Sequence, residues 1–295
     1  MSAQTRSFQV GEFLCTPISD GSFPYPAELI FVNMSTEERA RVLGAHNLPS
    51  DQVTCPYTCL LIRTPAHQVL LDTGGGKLVP GAGALLQNLE VAGVRASDID
   101  TVILTHGHPD HISGNLTADG KPAFPNARFV LWKTEWEFWT ADNIDLTGCQ
   151  LPEELKTSLM TAAARRFLPP IQDQVELIER ESEIVPGVHL VPAPGHTPGH
   201  AAVLIVSGQD SLLHIADAVL HPIHLENPRW KTAFDLQHEE AARSRRHLLD
   251  RAAADRLKVM AYHFPFPGVG HAVPRGPGWA WEPSSRDEAS ISSVA

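Results

Sequence analysis

The segment Thr105-His106-Gly107-His108-Pro109-Asp110-His111 follows directly on Asp-Thr-Val-Ile-Leu at 100–104. Three imidazoles and a carboxylate so close together restrict the fold more than any other stretch. An apolar strand must deliver the chain to a loop where these side chains meet. In extended or looped backbone, residues two apart point the same way, so His106 and His108 can grip one ion from one side. Asp110 and His111 lie on the following turn and face a neighbouring position. Nitrogen ligands with carboxylate oxygen suit Zn²⁺ and other borderline divalent metals. Four residues cannot fill two coordination shells, so further ligands must come from elsewhere.

Three candidates each follow an apolar strand. His196 comes after Val-His-Leu-Val, Asp217 after Ser-Leu-Leu-His-Ile, and His263 after Leu-Lys-Val-Met. Loops held by a rigid sheet are where sites of layered α/β folds lie. The seven divide into His106, His108 and His196 for one metal and Asp110, His111 and His263 for the other, with Asp217 bridging. Zinc is the expected metal, with manganese, iron or cobalt as alternatives. Two such ions, about 3.5–4 Å apart, share a hydroxide and lower its pKa toward neutrality. That hydroxide is the expected nucleophile, held in place by Asp217, with Asp110 passing a proton to the leaving group. The chain has no Gly-x-Ser-x-Gly elbow, so no covalent intermediate is called for. Asp72, after a buried strand, could accept the free N–H of a ligand histidine and fix its tautomer. His200 reads as a supporting residue rather than a ligand.

The rest of the chain supplies strands in groups, each group followed by helix, and does so twice. Phe-Gln-Val-Gly-Glu-Phe-Leu-Cys leads into a turn, and the aromatic- and proline-rich segment 22–31 reads as a loop. Ser35 and Glu38 make a capping box for a short helix. Residues 57–75 read as a hairpin of apolar strands ending at Asp72 and a glycine turn. Helices are expected at 83–93, 133–143, 152–170 and 237–256, with strands between them. Grouped strands with helices outside argue for two packed sheets in one layered α/β domain over 1–295. Residues 275–295, rich in Pro, Gly and Ser, read as an extended C-terminal tail on the surface.

The bulk properties exclude other classes. With 43% apolar and 19% charged residues among 295, a core of normal size is available. A formal charge of −11 repels phosphate backbones, which argues against nucleic acid as a partner. No run approaches the roughly 18 apolar residues of a membrane helix, so no membrane partner is expected. The N-terminus shows no apolar signal region, and a cytoplasmic location is the expectation. Of four cysteines only Cys55 and Cys59 are close, too few for a four-sulfur zinc site, and all four read as small buried apolar residues.

The form His-x-His-x-Asp-His resembles the signature of the metallo-β-lactamase superfamily. Leu-Leu-Asp-Thr-Gly-Gly-Gly at 70–76 looks like its upstream Asp-Thr-Gly turn. Pro-Gly-His-Thr-Pro-Gly-His at 194–200 looks like its third-histidine motif, Ile-Ala-Asp-Ala at 215–218 like its bridging-aspartate strand, and 261–271 like its last-histidine motif. The resemblance implies a four-layer αβ/βα sandwich, an α/β (α+β) fold, with a dinuclear metal site at its edge. The bridging Asp217 sets the chain apart from the true β-lactamases. The long insertion between His111 and His196 is most similar to the quorum-quenching lactonase and methyl-parathion-hydrolase-like branch. The implied activity is hydrolysis of neutral lactones or esters, with organophosphate triesters as a further class. Glyoxalase II-like thioester hydrolysis and a mononuclear iron persulfide dioxygenase are the alternatives. Acyl-homoserine lactonases commonly carry a tyrosine where this chain has Leu220, which favours the second subgroup. Similar proteins are often homodimers, and that is expected here.

The pocket for a small neutral substrate should be apolar and aromatic. Phe23, Tyr25, Phe31, Trp136, Trp139, Leu220, Phe264 and Phe266 are candidates, with His221 and His271 at its border. His224, three residues after His221, has no clear role. No arginine cluster suggests an anionic substrate, which counts against a glutathione thioester.

Overall fold

The computed structural model describes residues 6–284. Two seven-stranded sheets lie face to face. The first runs in sequence order: β1 (Phe8–Val10), β2 (Phe13–Pro26), β3 (Gln52–Arg63), β4 (Gln68–Leu71), β5 (Thr101–Ile103), β6 (Arg128–Trp132) and β7 (Val175–Ile178). Its first four strands are antiparallel neighbours and its last four are parallel. The second contains β8 (Ser182–Val185), β9 (Val188–Pro192), β10 (Ala201–Ser207), β11 (Asp210–His214), β12 (Lys258–Met260), β13 (Val269–Arg275) and β14 (Gly278–Pro283).

Side-chain alternation explains the layering. On β3, Leu60 and Ile62 point between the sheets, where they meet Val203, Leu212 and Met260 of the second sheet. Tyr57, Cys59 and Leu61 point outward onto the helical layer, with Leu89, Ala163 and Phe167. On the second sheet Leu213 and Val259 turn outward against Leu248 and Leu249 of the helix His238–Ala254. The order helices, sheet, sheet, helices is the expected αβ/βα sandwich. The four cysteines are free and buried. Among the described residues, no helix is long and apolar enough to cross a membrane.

The structure differs from the sequence reading in several places. Residues 22–26, expected as loop, continue β2 and pair with β3 as far as Pro26–Gln52. Among the described residues, β2 has no strand partner on its other side beyond Cys15, and an edge strand tolerates the missing N–H of Pro17, Pro24 and Pro26. Its exposed and half-buried residues alternate there, which the prolines disguised. The helix at 152–170 forms, but Lys156–Thr161 winds as a π-helical stretch within it. The extended surface tail expected from 275 is also corrected. Gly278–Pro283 is a strand that pairs along β13, anchored by buried Trp279 and by Trp281, whose ring meets Phe264 edge-on at 4.8 Å. Residues 285–295 of that expected tail lie outside the described residues.

Strand direction places the site. β9 and β11 are each antiparallel to β10, and β12 is parallel to β11, so all three end at one edge of the second sheet. β4 and β5 are parallel neighbours in the first sheet and likewise end together. The loops after these five strands carry Asp72, His106–His111, His196, Asp217 and His263.

Candidate metal centre

The seven polar side chains collect at one place, with the Asp217 carboxylate at its centre. Asp217 Oδ2 lies 3.1 Å from His263 Nε2, 3.4 Å from His111 Nε2, 3.4 Å from His196 Nε2 and 3.8 Å from His106 Nε2. Asp110 Oδ2 lies 3.3 Å from His263 Nε2 and 3.7 Å from His111 Nε2. His108 Nδ1 lies 2.9 Å from His196 Nε2. Three triads bring their ligand atoms within 4.8 Å of one another: His106, His108 and His196; His106, His111 and Asp217; Asp110, His111 and His263.

Four of the five rings are held from behind. His111 Nδ1 donates to Asp72 Oδ2 at 2.8 Å, His196 Nδ1 to Asp235 Oδ1 at 2.8 Å, and His263 Nδ1 to the Pro56 carbonyl at 2.9 Å. His106 Nδ1 lies 3.1 Å from Thr105 Oγ1. A ring whose outer nitrogen donates presents a bare lone pair at its inner nitrogen, the tautomer a metal needs. Asp72 sits at φ 60°, an unusual backbone for a residue with a side chain, and also accepts from the Thr105 N–H at 2.8 Å. Asp217 follows Ala216 at φ 43°, and its own N–H donates to His200 Nε2 at 3.1 Å. His200 thus supports the Asp217 backbone rather than offering a ligand nitrogen, with its Nδ1 on the Ala193 carbonyl at 2.9 Å.

The donor set fits divalent cations. Nε2 of His106, His108 and His111 and Oδ1 of Asp217 are buried with no hydrogen-bond partner. A buried polar atom left unpaired costs about 1–3 kcal/mol, so the orphaned atoms of His106, His111 and Asp217, which lie together, mark where a further group belongs. The electrostatics agree. Burial holds His106 and His108 well below the usual imidazole range. Burial also acts to lower His111, but the Asp217, Asp110 and Asp72 carboxylates hold it up at about 10. For His196 the same opposition, with Asp217 and Asp235, ends at about 9. Against burial, the His263 and His111 rings hold Asp217 well below the usual carboxylate range. The carboxylates demand positive charge at the centre of the cluster, which a cation supplies in place of protons.

A cavity of about 360 Å³ opens over this floor. His108, Asp110, His196, Asp217 and His263 form its base, and Phe23, Tyr25 and Leu220 are among its walls. The other pocket candidates are elsewhere. Phe31 is core, stacked on His224 at 4.5 Å. Trp139 lies behind His108 with its Nε1–H on Glu135, and Trp136 is half-buried against the same helical layer. Phe264 belongs to the core under β13 and β14. Phe266 is half-buried in the turn before β13, outside the cavity lining. His221 folds back to accept from the Ile223 N–H, and His271 lies on β13 opposite Glu282. His224 Nε2 donates to the Ile30 carbonyl. Backbone pairing and core packing have claimed these rings.

Most of the wall carried no signal in the sequence. Leu151, Leu155, Leu159 and Met160 come from the helical insertion, and Leu29 and Phe234 from connecting segments. As apolar residues on a helix they read as ordinary core. Asp235 and Glu135 were missed too. Asp235 follows no apolar strand, but Glu135 opens the aromatic-rich run Glu-Trp-Glu-Phe-Trp at 135–139, where a buried carboxylate could have been suspected.

The Metallo-beta-lactamase superfamily profile matches residues 53–263. An N-acyl homoserine lactonase of a Bacillus species is 27% identical over 177 residues, 53% of this chain and 61% of that protein. A probable metallo-hydrolase of Mycobacterium tuberculosis is 30% identical over 214 residues, 61% of this chain and 62% of that protein. The chain spans less than two thirds of the length of these curated relatives. Among solved structures, AidC, a dizinc quorum-quenching lactonase in complex with a product, superposes with a TM-score of 0.90 at 28% identity, covering 96% of this chain and 98% of that one. The hydrolase AbOPH shares the fold at a TM-score of 0.87 and 24% identity, covering 97% and 99%.

Proposed function

The chain belongs to the metallo-β-lactamase superfamily, and from that premise we propose that it is a dinuclear metal-dependent hydrolase acting on neutral lactones with an apolar substituent. The observation that carries this reading is the convergence of four imidazole Nε2 atoms on Asp217 Oδ2, at 3.1–3.8 Å, beneath an apolar cavity. His106, His108 and His196 would hold one ion, Asp110, His111 and His263 the other, and Asp217 both. Zinc suits the nitrogen-rich set. When bound, the pair supplies Lewis acidity and a water acidic enough to ionise near neutral pH.

The chain's own residues do the rest. Asp72, Asp235 and the Pro56 carbonyl hold the outer N–H groups, so the inner nitrogens are the ones turned to a cation, which would take the place of their protons. Asp110 faces the cavity beside His263, and its Oδ can carry the proton from the attacking water to the ring oxygen as the acyl C–O bond breaks. The product is the open hydroxy acid. The walls exclude water from the acyl substituent, and each methylene they bury contributes about 0.8 kcal/mol. No Lys or Arg stands among the described residues that line the cavity, which favours an uncharged substrate over a glutathione thioester. Neutral phosphotriesters meet the same requirement and form the second substrate class to test.

Purified protein should hold two divalent ions per chain and open acyl-homoserine lactones, γ-lactones and δ-lactones. Rates should exceed those on a glutathione thioester by at least tenfold, with paraoxon in the same panel. One iron per chain with persulfide oxidation, or full turnover after chelation, would rule the proposal out.

A further inference from the structure

We infer that Glu135, a carboxylate outside the ligand set, is a positioning residue that fixes His106 and His108 relative to His196 and so governs one of the two metal positions. The inference rests on the dinuclear reading above.

The three histidines come from different sheets. His106 and His108 follow β5 of the first, and His196 follows β9 of the second. Something must hold the two loops in register, because the ligand atoms tolerate little displacement. Glu135, on the helix Lys133–Thr140 and fully buried, lies between them. Its Oε1 accepts from the Gly107 N–H at 2.8 Å and from Trp139 Nε1–H at 2.7 Å. Its Oε2 accepts from Thr197 Oγ1–H at 2.8 Å and from the Gly199 N–H at 2.8 Å. Gly107 separates His106 from His108, and Thr197 follows His196. One oxygen therefore grips the first loop and the other grips the second.

Four donors on two oxygens use the full acceptor capacity of an ionised carboxylate. The packing requires the same arrangement. A Cβ on Gly107 would meet Trp139 Cδ1 at 2.3 Å, and one on Gly199 would meet the Glu135 backbone N at 2.3 Å. The two glycines let the helix wedge between the loops.

The other metal position has its own tie. Tyr262 Oη–H donates to the Asp110 carbonyl at 2.6 Å, and the Tyr262 ring lies 4.0 Å from that of His111. Tyr262 also precedes His263, whose Nδ1 is on Pro56. Asp110, His111 and His263 are thus joined without Glu135. Loss of Glu135 should loosen one position and spare the other, which a purely structural role would not do.

The test is stepwise metal affinity, read by chelator competition with Zn²⁺ and by the absorption bands of the Co²⁺-loaded protein. In Glu135→Gln an amide NH₂ must face an N–H or O–H donor, so one side of the bridge opens. One ion should bind about 10–100-fold more weakly, with the other at wild-type affinity and one set of cobalt bands lost. Thr197→Val removes one of the four bonds and should shift the same ion less. Equal weakening of both ions, or wild-type affinities in a folded variant, overturns the inference. Should Glu135→Gln fail to fold, Thr197→Val decides alone. A wild-type protein that holds fewer than two ions would instead overturn the hydrolase reading.

Discussion

The floor of the cleft consists of polar side chains delivered by strand ends of both sheets, with the His111, His196 and His263 rings tied from behind by hydrogen bonds. Its wall consists of apolar side chains such as Leu29, Leu159 and Phe234, drawn from a helical insertion and two connecting segments. Directional groups at the floor must sit within tenths of an ångström, so the fold spends its most rigid edge there. The wall works by excluding water, which depends on area and shape and tolerates exchange of one apolar residue for another. Chemistry and selectivity should therefore separate by mutation.

The severest challenge to that separation is Asp217→Ala. Removing the carboxylate on which four imidazoles converge should lower kcat/KM about 10³-fold or more on every substrate, whatever its tail. A drop confined to long-tailed lactones would merge floor with wall. Next comes Asp72→Asn, which keeps the shape but weakens the hold on His111 Nδ1–H. Metal affinity or turnover should fall about 10–100-fold, again without regard to the tail, as metal titration and a short-chain lactone assay would show.

Wall variants should do the reverse. Leu159→Ala removes apolar contact worth about 1–3 kcal/mol to a tail that reaches it. The expected result is about a tenfold rise in KM for a long acyl-homoserine lactone, with butyrolactone kinetics unchanged. Equal effects on both would mean that the tail lies elsewhere. The smallest effect is expected at the seam, where the Tyr25 and Tyr57 hydroxyls meet at 2.9 Å. Tyr25→Phe removes one hydrogen bond worth about 1 kcal/mol, so Tm should fall by a few degrees and kcat/KM by no more than a few-fold. A hundredfold loss would move Tyr25 into the floor.

The floor was legible in the sequence because each of its members sits where an apolar run stops. His196, Asp217 and His263 stood out as partners for the His106–His111 cluster because each is a ligand-type residue just past an apolar strand. Phe31, Phe264 and Trp139 show where that reasoning stops. An aromatic side chain has the same composition signature in a core as in a cavity, and only packing told them apart. Asp235 and Glu135 were hidden for another reason: each acts through a partner 39 or more residues away, or through backbone N–H groups that sequence does not display.

By itself the sequence determined the layered α/β class and offered the candidate donor residues, because these depend on residue type and on local periodicity. The tertiary structure alone decided which aromatics face the cleft, which carboxylates support the rings, and how β9, β11 and β12 come to end beside β5. Those outcomes depend on strand direction and on contacts between residues far apart in the chain, for which local pattern carries no term.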